Sequence, residues 1–298
     1  MVPRFARRTI GWQDDAMATG YWQDVLSKGL AVPEDRPLDD LTAELTTMLG
    51  SPDPEQRDGT AYPALSTWID RGVYDDLLAG LGDGMAAGLT VGLGEVGTDS
   101  VFRRSFSVLA LAECLARDNE KLLLPSARVF DWGDRVASWY LRERDVRGFV
   151  PGKGWAHAIA HGADAIGVLA QSPYFATNEL TVFLDVLADR LLDLDSGLLL
   201  AGEPDRMAAA TMQILRRNVV SLKVLEPWIH RIAAGANPFG SSGEHDPFER
   251  AGNPQAYLRA LHVQLTLASN PPQVRPDLIL VLVEALKATN FPFLAPPD

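Results

Sequence analysis

Cysteine is almost missing from this chain: Cys114 is the one example in 298 residues. An internal disulfide is therefore impossible, the disulfide-scaffold class is excluded, and a reducing cytoplasm is the expected home. Basic charge is also short. The 27 Lys and Arg face 39 Asp and Glu, a net charge of −12 with a pI near 4.9, so the summed field repels phosphate backbones and anionic lipid. No local basic patch offsets it, and neither a nucleic-acid nor a membrane-surface partner is expected. Long apolar runs are lacking too, since Leu278 to Val283 and Val108 to Ala112 fall far short of the ~18 residues a span needs. Arg4, Arg7 and Arg8 form a small basic start, but Trp12-Gln13-Asp14-Asp15 follows instead of an apolar stretch, so no secretory leader is expected.

Strand signals are scarce as well. What is present is a folded-protein composition, 47% hydrophobic and 22% charged, arranged as a cap, an apolar run of helical length, a short break and a second such run. Ser51-Pro52-Asp53-Pro54-Glu55 caps a run to about Asp70, with Val73 to Leu89 as its partner. Thr98-Asp99-Ser100 caps the next, to about Arg117, followed by Pro125 to Arg144. Trp155 to Gln171 pairs with Asn178 to Leu194, Pro204 to Arg217 with Leu222 to Ala234, and Pro254 to Ala268 with Pro276 to Ala288. Aligning Arg57, Arg103, His157, Arg206 and Tyr257 gives a drifting repeat of about fifty residues. A hairpin with two apolar faces buries both only by stacking on neighbours. The expected fold is all-α: stacked helical hairpins in a HEAT-like α-solenoid, with an irregular helical bundle or a closed α/α ring as the alternatives. One all-helical domain over 1–298 is expected, with 1–40 as a lead-in, hairpins over 41–234, a flexible loop at 235–254 rich in Gly, Ser and Pro, and a last hairpin and tail at 255–298.

Chemistry concentrates in one stretch. On a continuous helix from Trp155, stepping 100° per residue, Lys153, His157, His161 and Asp164 share a stripe, with Trp155, Ile159 and Ile166 packing opposite. Two imidazoles one turn apart with a carboxylate beyond them can take a divalent metal, or the carboxylate can orient an imidazole. The glutamate of H-E-x-x-H is absent, because Ala158 follows His157. Arg103, Arg104 and Arg206 open otherwise apolar runs and need partners or a pocket. If the register holds, Arg103, His157 and Arg206 form a cationic strip; the alternative is that the arginines brace turns through Asp99, Asp145 and Asp205. Gly92-Leu93-Gly94-Glu95-Val96-Gly97 matches G-x-G-x-x-G without a surrounding βαβ unit, and Gly148 to Gly154 lacks the Ser or Thr of a phosphate loop. Gly240-Ser241-Ser242-Gly243 is no nucleophile elbow, and His245-Asp246 sits in the expected loop.

Four blocks carry a family resemblance: Ser51 to Glu55 with Arg57 and Asp58; Gly97-Thr98-Asp99-Ser100-Val101-Phe102 with Arg104 to Ser107; Asp145, Arg147-Gly148-Phe149 with Lys153-Gly154-Trp155, His157 and His161-Gly162-Ala163-Asp164; and Gly202-Glu203 with Asp205-Arg206-Met207. Together, over Leu41 to Arg217, they resemble the bacterial domain of unknown function family 2785. The resemblance implies an all-helical protein and brings no activity, substrate or cofactor. The first 40 residues and the loop from Gly235 are read as particular to this chain.

Three functions follow as expectations. The first is a binding protein that takes an anionic small molecule or a peptide carboxylate on Arg103, Arg104, Lys153, Trp155, His157, His161, Asp164 and Arg206. The second is a metal-dependent hydrolase with His157, His161 and Asp164 as ligands of a divalent metal. The third is a protein-protein adaptor. No cofactor is implied otherwise, and the oligomeric state is not legible.

Overall fold

The computed structural model of the chain describes residues 12–238 and 246–294. Arg4, Arg7, Arg8, the Gly240 to Gly243 run and His245 lie outside them. The structure is 70% helical. In chain order the helices are α1 (Trp12–Ser27), α2 (Leu38–Met48), α3 (Pro54–Gln56), α4 (Tyr62–Asp70), α5 (Leu78–Gly88), α6 (Ser100–Lys121), α7 (Ser126–Arg142), α8 (Ala158–Leu169), α9 (Thr177–Leu192), α10 (Glu203–Arg216), α11 (Leu222–Gly235), α12 (Pro247–Leu267), α13 (Arg275–Thr289) and α14 (Phe291–Leu294). Strand among the described residues is confined to β1 (Phe149–Val150) and β2 (Gly154–Trp155), a two-residue antiparallel ladder.

Each hairpin forms for local reasons. In α7, Val129, Trp132, Val136, Trp139 and Tyr140 recur at helical spacing on the buried face. The preceding α6 closes at Leu122, which adopts the left-handed conformation (φ 53°), and Pro125 then admits no continuation. The run from Pro54 to Asp70 is one helix with a flaw in it. Arg57–Ala61 forms a π-turn just before Pro63, whose ring nitrogen has no proton for the carbonyl one turn back. Asp53 caps this run as expected, its Oδ1 accepting from the Glu55 N–H at 3.0 Å. Asp99 does not cap α6; its side chain is held instead by the Lys153 ammonium at 2.6 and 2.8 Å.

The hairpins stack in two layers. Helices α4, α6, α8, α10 and α12 pack successively along one layer, and α5, α7, α9, α11 and α13 along the other. This is the expected stack of helical hairpins, with consecutive neighbours in contact. The central helix α8 is buried nearly all round, and its composition explains how: Ala158, Ala160, Ala163, Ala165, Gly162 and Gly167 let α6 and α10 approach from both sides. A methyl group on Gly162 would lie 2.4 Å from the Tyr140 ring, and one on Gly82 of α5 would lie 2.1 Å from Trp132. By contrast Gly80 and Gly84, on the opposite side of α5, face open space. The expected loop at 235–254 is shorter than its composition implied, because Asp246 caps α12 and the helix runs through Pro254. Among the described residues no helix is long and apolar enough to cross a membrane.

These two classes of glycine make a direct test of the packing. Gly162→Ala should destabilise the fold by about 1–3 kcal/mol through overpacking, whereas Gly84→Ala should stabilise it by roughly 0.5–1 kcal/mol through helix propensity. Urea denaturation of both variants reads the two signs, and equal shifts would refute the layer arrangement.

Candidate ligand-binding site

The histidine block does not form one helical stripe. The Gly148 to Trp155 segment folds as a β-hairpin turning at Pro151-Gly152, with Gly152 and Gly154 at positive φ, and the chain reaches α8 only through His157, itself left-handed at φ 49°. Lys153 and Trp155 therefore lie on the hairpin. Trp155 is 43% exposed rather than packed inside the stack; it stacks on His157 (4.2 Å between ring centres) and meets Phe149 edge-on. Lys153 pairs with Asp99, and its carbonyl accepts from buried Arg57 at 2.7 Å.

The two histidines remain neighbours, 5.9 Å between ring centres, in different chemical states. Ser105 Oγ donates to the Ala156 carbonyl, so it accepts from His161 Nδ1–H at 2.9 Å. This fixes the Nδ1–H tautomer and leaves Nε2 of His161 as a lone pair with no protein partner among the described residues. Burial, reinforced by the nearby charges of His157 and Arg206, pushes the His161 imidazole down to about 3. It is an acceptor at neutral pH and too weak a base to activate water. His157 Nε2 donates to the Ala201 carbonyl at 3.1 Å, with the buried Glu203 carboxylate 3.8 Å away. The carboxylate near an imidazole is thus Glu203, not Asp164.

Asp164 is committed elsewhere: its Oδ1 accepts from Arg206 Nε at 2.7 Å and its Oδ2 from Nη2 of the same guanidinium. Among the described residues no three His, Cys, Asp or Glu side chains gather as metal ligands. The trio of His157, His161 and Asp164 is therefore split between an αL turn, a buried Ser–His contact and a surface ion pair.

The arginines divide just as sharply. Arg104 is fully buried and forms a two-pronged pair with buried Glu143, at 2.5 and 2.8 Å. Its Nη1 donates to the carbonyls of Val91 and Gly92 and to Ser100 Oγ. This occupies the Gly92 loop with a structural task, and Arg104 is fully buried with its charge paired. The bracing partners are Glu143 and Asp164 rather than the expected Asp99, Asp145 and Asp205; Asp145 holds Arg147 and the Gly97 N–H instead.

Arg103 alone of these arginines has no carboxylate partner among the described residues. Its Nη1 donates to the Thr46 carbonyl, while the buried Nε has no acceptor and Nη2 has none among the described residues. Burial by itself pulls its guanidinium below the ordinary arginine range. It lines a cleft of about 630 Å³ with Thr47, Gly50, Ser51, Gln56 and Gly88, and no acidic side chain lines that cleft. The cleft size suits a small ligand.

Residues 89–263 match the model of the family described as Protein of unknown function (DUF2785). The chain belongs to this family. The match covers more than half of the chain and starts and ends later than the resemblance over Leu41 to Arg217, so that it takes in the Gly235 segment and leaves out the Ser51 block. No curated protein and no solved structure matches the chain. All eight residues expected at a site fall inside the DUF2785 region, whereas most of the cleft wall facing Arg103 comes from α2 and α5, before it. Sequence reasoning missed these walls and also Ser105 and Glu203. The recurrence of Gly80, Gly84 and Gly88 four residues apart was the available signal for the walls; Ser105 and Glu203 stand in two of the resemblance blocks, but nothing there marks them as partners of the histidines.

Two outcomes follow. His161 binds a proton more readily when unfolded than when folded, so protons accumulate on the unfolded state below its ordinary value of 6.5. Stability should therefore fall as pH drops from there toward about 3, by up to ~1.4 kcal/mol per pH unit from this residue. Denaturation at several pH values should show a shallower slope in His161→Gln. Separately, Arg104→Met should strand the Glu143 charge and destabilise by about 3–5 kcal/mol; a neutral result in urea would remove Arg104 from its bracing role.

Proposed function

We propose that the protein is a binding protein whose helical stack holds the anionic end of a small molecule at Arg103. The observation that carries this reading is a half-buried guanidinium with no counter-ion among the described residues. Taking a cation out of water costs several kcal/mol, roughly, unless an opposite charge replaces the lost hydration, and the neighbouring buried Arg104 shows how this chain compensates one when the need is structural. At Arg103 the compensation is left to whatever enters the cleft. A carboxylate or phosphate there would accept from the unused donors of the guanidinium, the charge-assisted geometry that arginine favours. Thr47, Ser51 and Gln56 supply neutral polar groups beside it.

The expected strip shrinks to this single residue. Arg206, Lys153 and Arg104 are neutralised by Asp164, Asp99 and Glu143, so they add little net field for a ligand. A hydrolase reading would need a metal cluster or a competent base. His161 is held neutral with its serine neighbour hydrogen-bonded to the backbone and buried.

Arg103→Met keeps the length of the side chain and deletes the charge. Titration of acetate and inorganic phosphate, followed by chemical shifts, should show saturable binding to the wild-type protein that weakens with added salt. The variant should lose at least about tenfold in affinity, since a charge-assisted bond contributes ~1.5–3 kcal/mol, while its melting temperature stays level or rises. Equal affinity in the two proteins would overturn the assignment.

A further inference from the structure

The Arg103 cleft does not end at Arg103. A second cleft of about 370 Å³ lies between α2 and α5, walled by Ala43, Thr46, Leu77, Gly80, Leu81 and Met85. The two share Gly84, and adjacent residues of α2, Thr46 and Thr47, line one each. Arg103, which donates to the Thr46 carbonyl, stands at the joint. The groove so formed follows eleven residues of each helix, about 16 Å at the helical rise per residue. Gly80 and Gly84 have nothing within 4 Å of where a side chain would begin, so the floor is open helix backbone whose hydrogen bonds are already made.

Resting on the reading of Arg103 as an anion site, we propose that the ligand is an aliphatic carboxylate whose unbranched apolar chain lies along this groove. The head is placed by charge. Arg103 is a cation with no acid beside it among the described residues where the two clefts meet, and Asp39 flanks the far mouth of the α2–α5 cleft, which disfavours the reversed orientation. The chain is specified by what the walls lack. A peptide would bring amide groups that need partners, but Thr42 Oγ already donates to the Leu38 carbonyl at 2.6 Å and contacts Tyr74 OH at 2.8 Å. Apart from the Thr46 hydroxyl, the Tyr74 phenol and Asp39 at the far mouth, the wall is methyl, methylene, thioether and glycine. Leu77 is more than half exposed at the far mouth, as a wall awaiting an apolar occupant would be.

The test is a chain-length series, acetate, butyrate, hexanoate and octanoate, titrated against the wild-type protein and against Gly80→Leu. The leucine fills the far cleft at a position with free space, leaves the Arg103 end untouched and should fold normally, which a thermal melt checks. Each buried methylene is expected to tighten binding by roughly fourfold, so octanoate should exceed acetate by at least about a hundredfold. Gly80→Leu should cancel most of that gain and leave acetate affinity unchanged. If acetate binds through Arg103 but longer chains add nothing, the chain proposal fails and the anion site stands. If no carboxylate and no phosphate binds, both fail. A gain that survives Gly80→Leu would put the chain elsewhere and overturn the proposal. So would a peptide with an apolar carboxy-terminal residue that binds where octanoate does not.

Discussion

The buried pair of Arg104 and Glu143 ties the segment before α6 to the segment after α7. A layered array of hairpins buries its helix faces against neighbours, but the loops at the hairpin ends carry backbone groups that no neighbour satisfies. Arg104 collects the carbonyls of Val91 and Gly92 from the loop before α6. Glu143 accepts from the N–H groups of Arg144 and Asp145 and from Trp139 Nε1 beyond α7. Arg190 extends the knot into the next hairpin by donating to the carbonyls of Glu143 and Tyr140. Two charges so desolvated are costly to bury, and their mutual attraction recovers that cost only because nearly every remaining lone pair and proton is also used. Replacement by apolar groups of similar size could match the pair in stability, yet would leave those loop carbonyls and amides orphaned.

Against that standard Arg103 is the exception. It precedes Arg104 in the same helix, it is half-buried, and the described residues give it a single backbone carbonyl and no acid. Arg57 is the instructive intermediate. It too is fully buried and has an unpartnered Nε, but Asp58 pairs with it, the carbonyls of Ser51 and Lys153 accept from it, and the rings of Phe102 and Phe106 cover its face. Burial of an arginine is thus common in this fold and says nothing of function until its counter-charge is found or shown to be wanting.

That distinction was beyond the sequence, whereas the helices were not. Caps and breakers such as Asp53, Pro125 and Pro276 mark element ends because their chemistry is local, and the hairpin order follows from them to within a few residues. The pairing of Arg104 with Glu143 joins residues 39 positions apart, and no local pattern separates it from the unpaired neighbour. The misread register at Trp155 has a different origin. Val150-Pro151-Gly152 is a turn signal, but the apolar periodicity downstream of Ala158 extends backward by chance through Trp155, across a segment that glycines at positive φ bend into a hairpin. His157 and His161 stay close because His157 is the N-cap of α8, its carbonyl accepting from the His161 N–H at 2.9 Å one turn on.

The groove between α2 and α5 has a cause in the architecture as well. Inside the stack each second-layer helix packs on the next one along, α5 on α7, α7 on α9, α9 on α11 and α11 on α13. At the start of the array α5 has no such predecessor; α2 packs instead on α4 and the π-turn, and so leaves the outer side of α5 uncovered. Terminal repeats of stacked folds usually meet this problem with a polar outer face. Here that face is glycine at positions 80 and 84 and alanine at 87, residues that neither fill the space nor solvate it well. An open cleft between α2 and α5, a floor of glycine and alanine, and a cation with no acid beside it among the described residues are three separate departures from what stability alone would select. They coincide in a single place at the start of the array, away from His157 and His161.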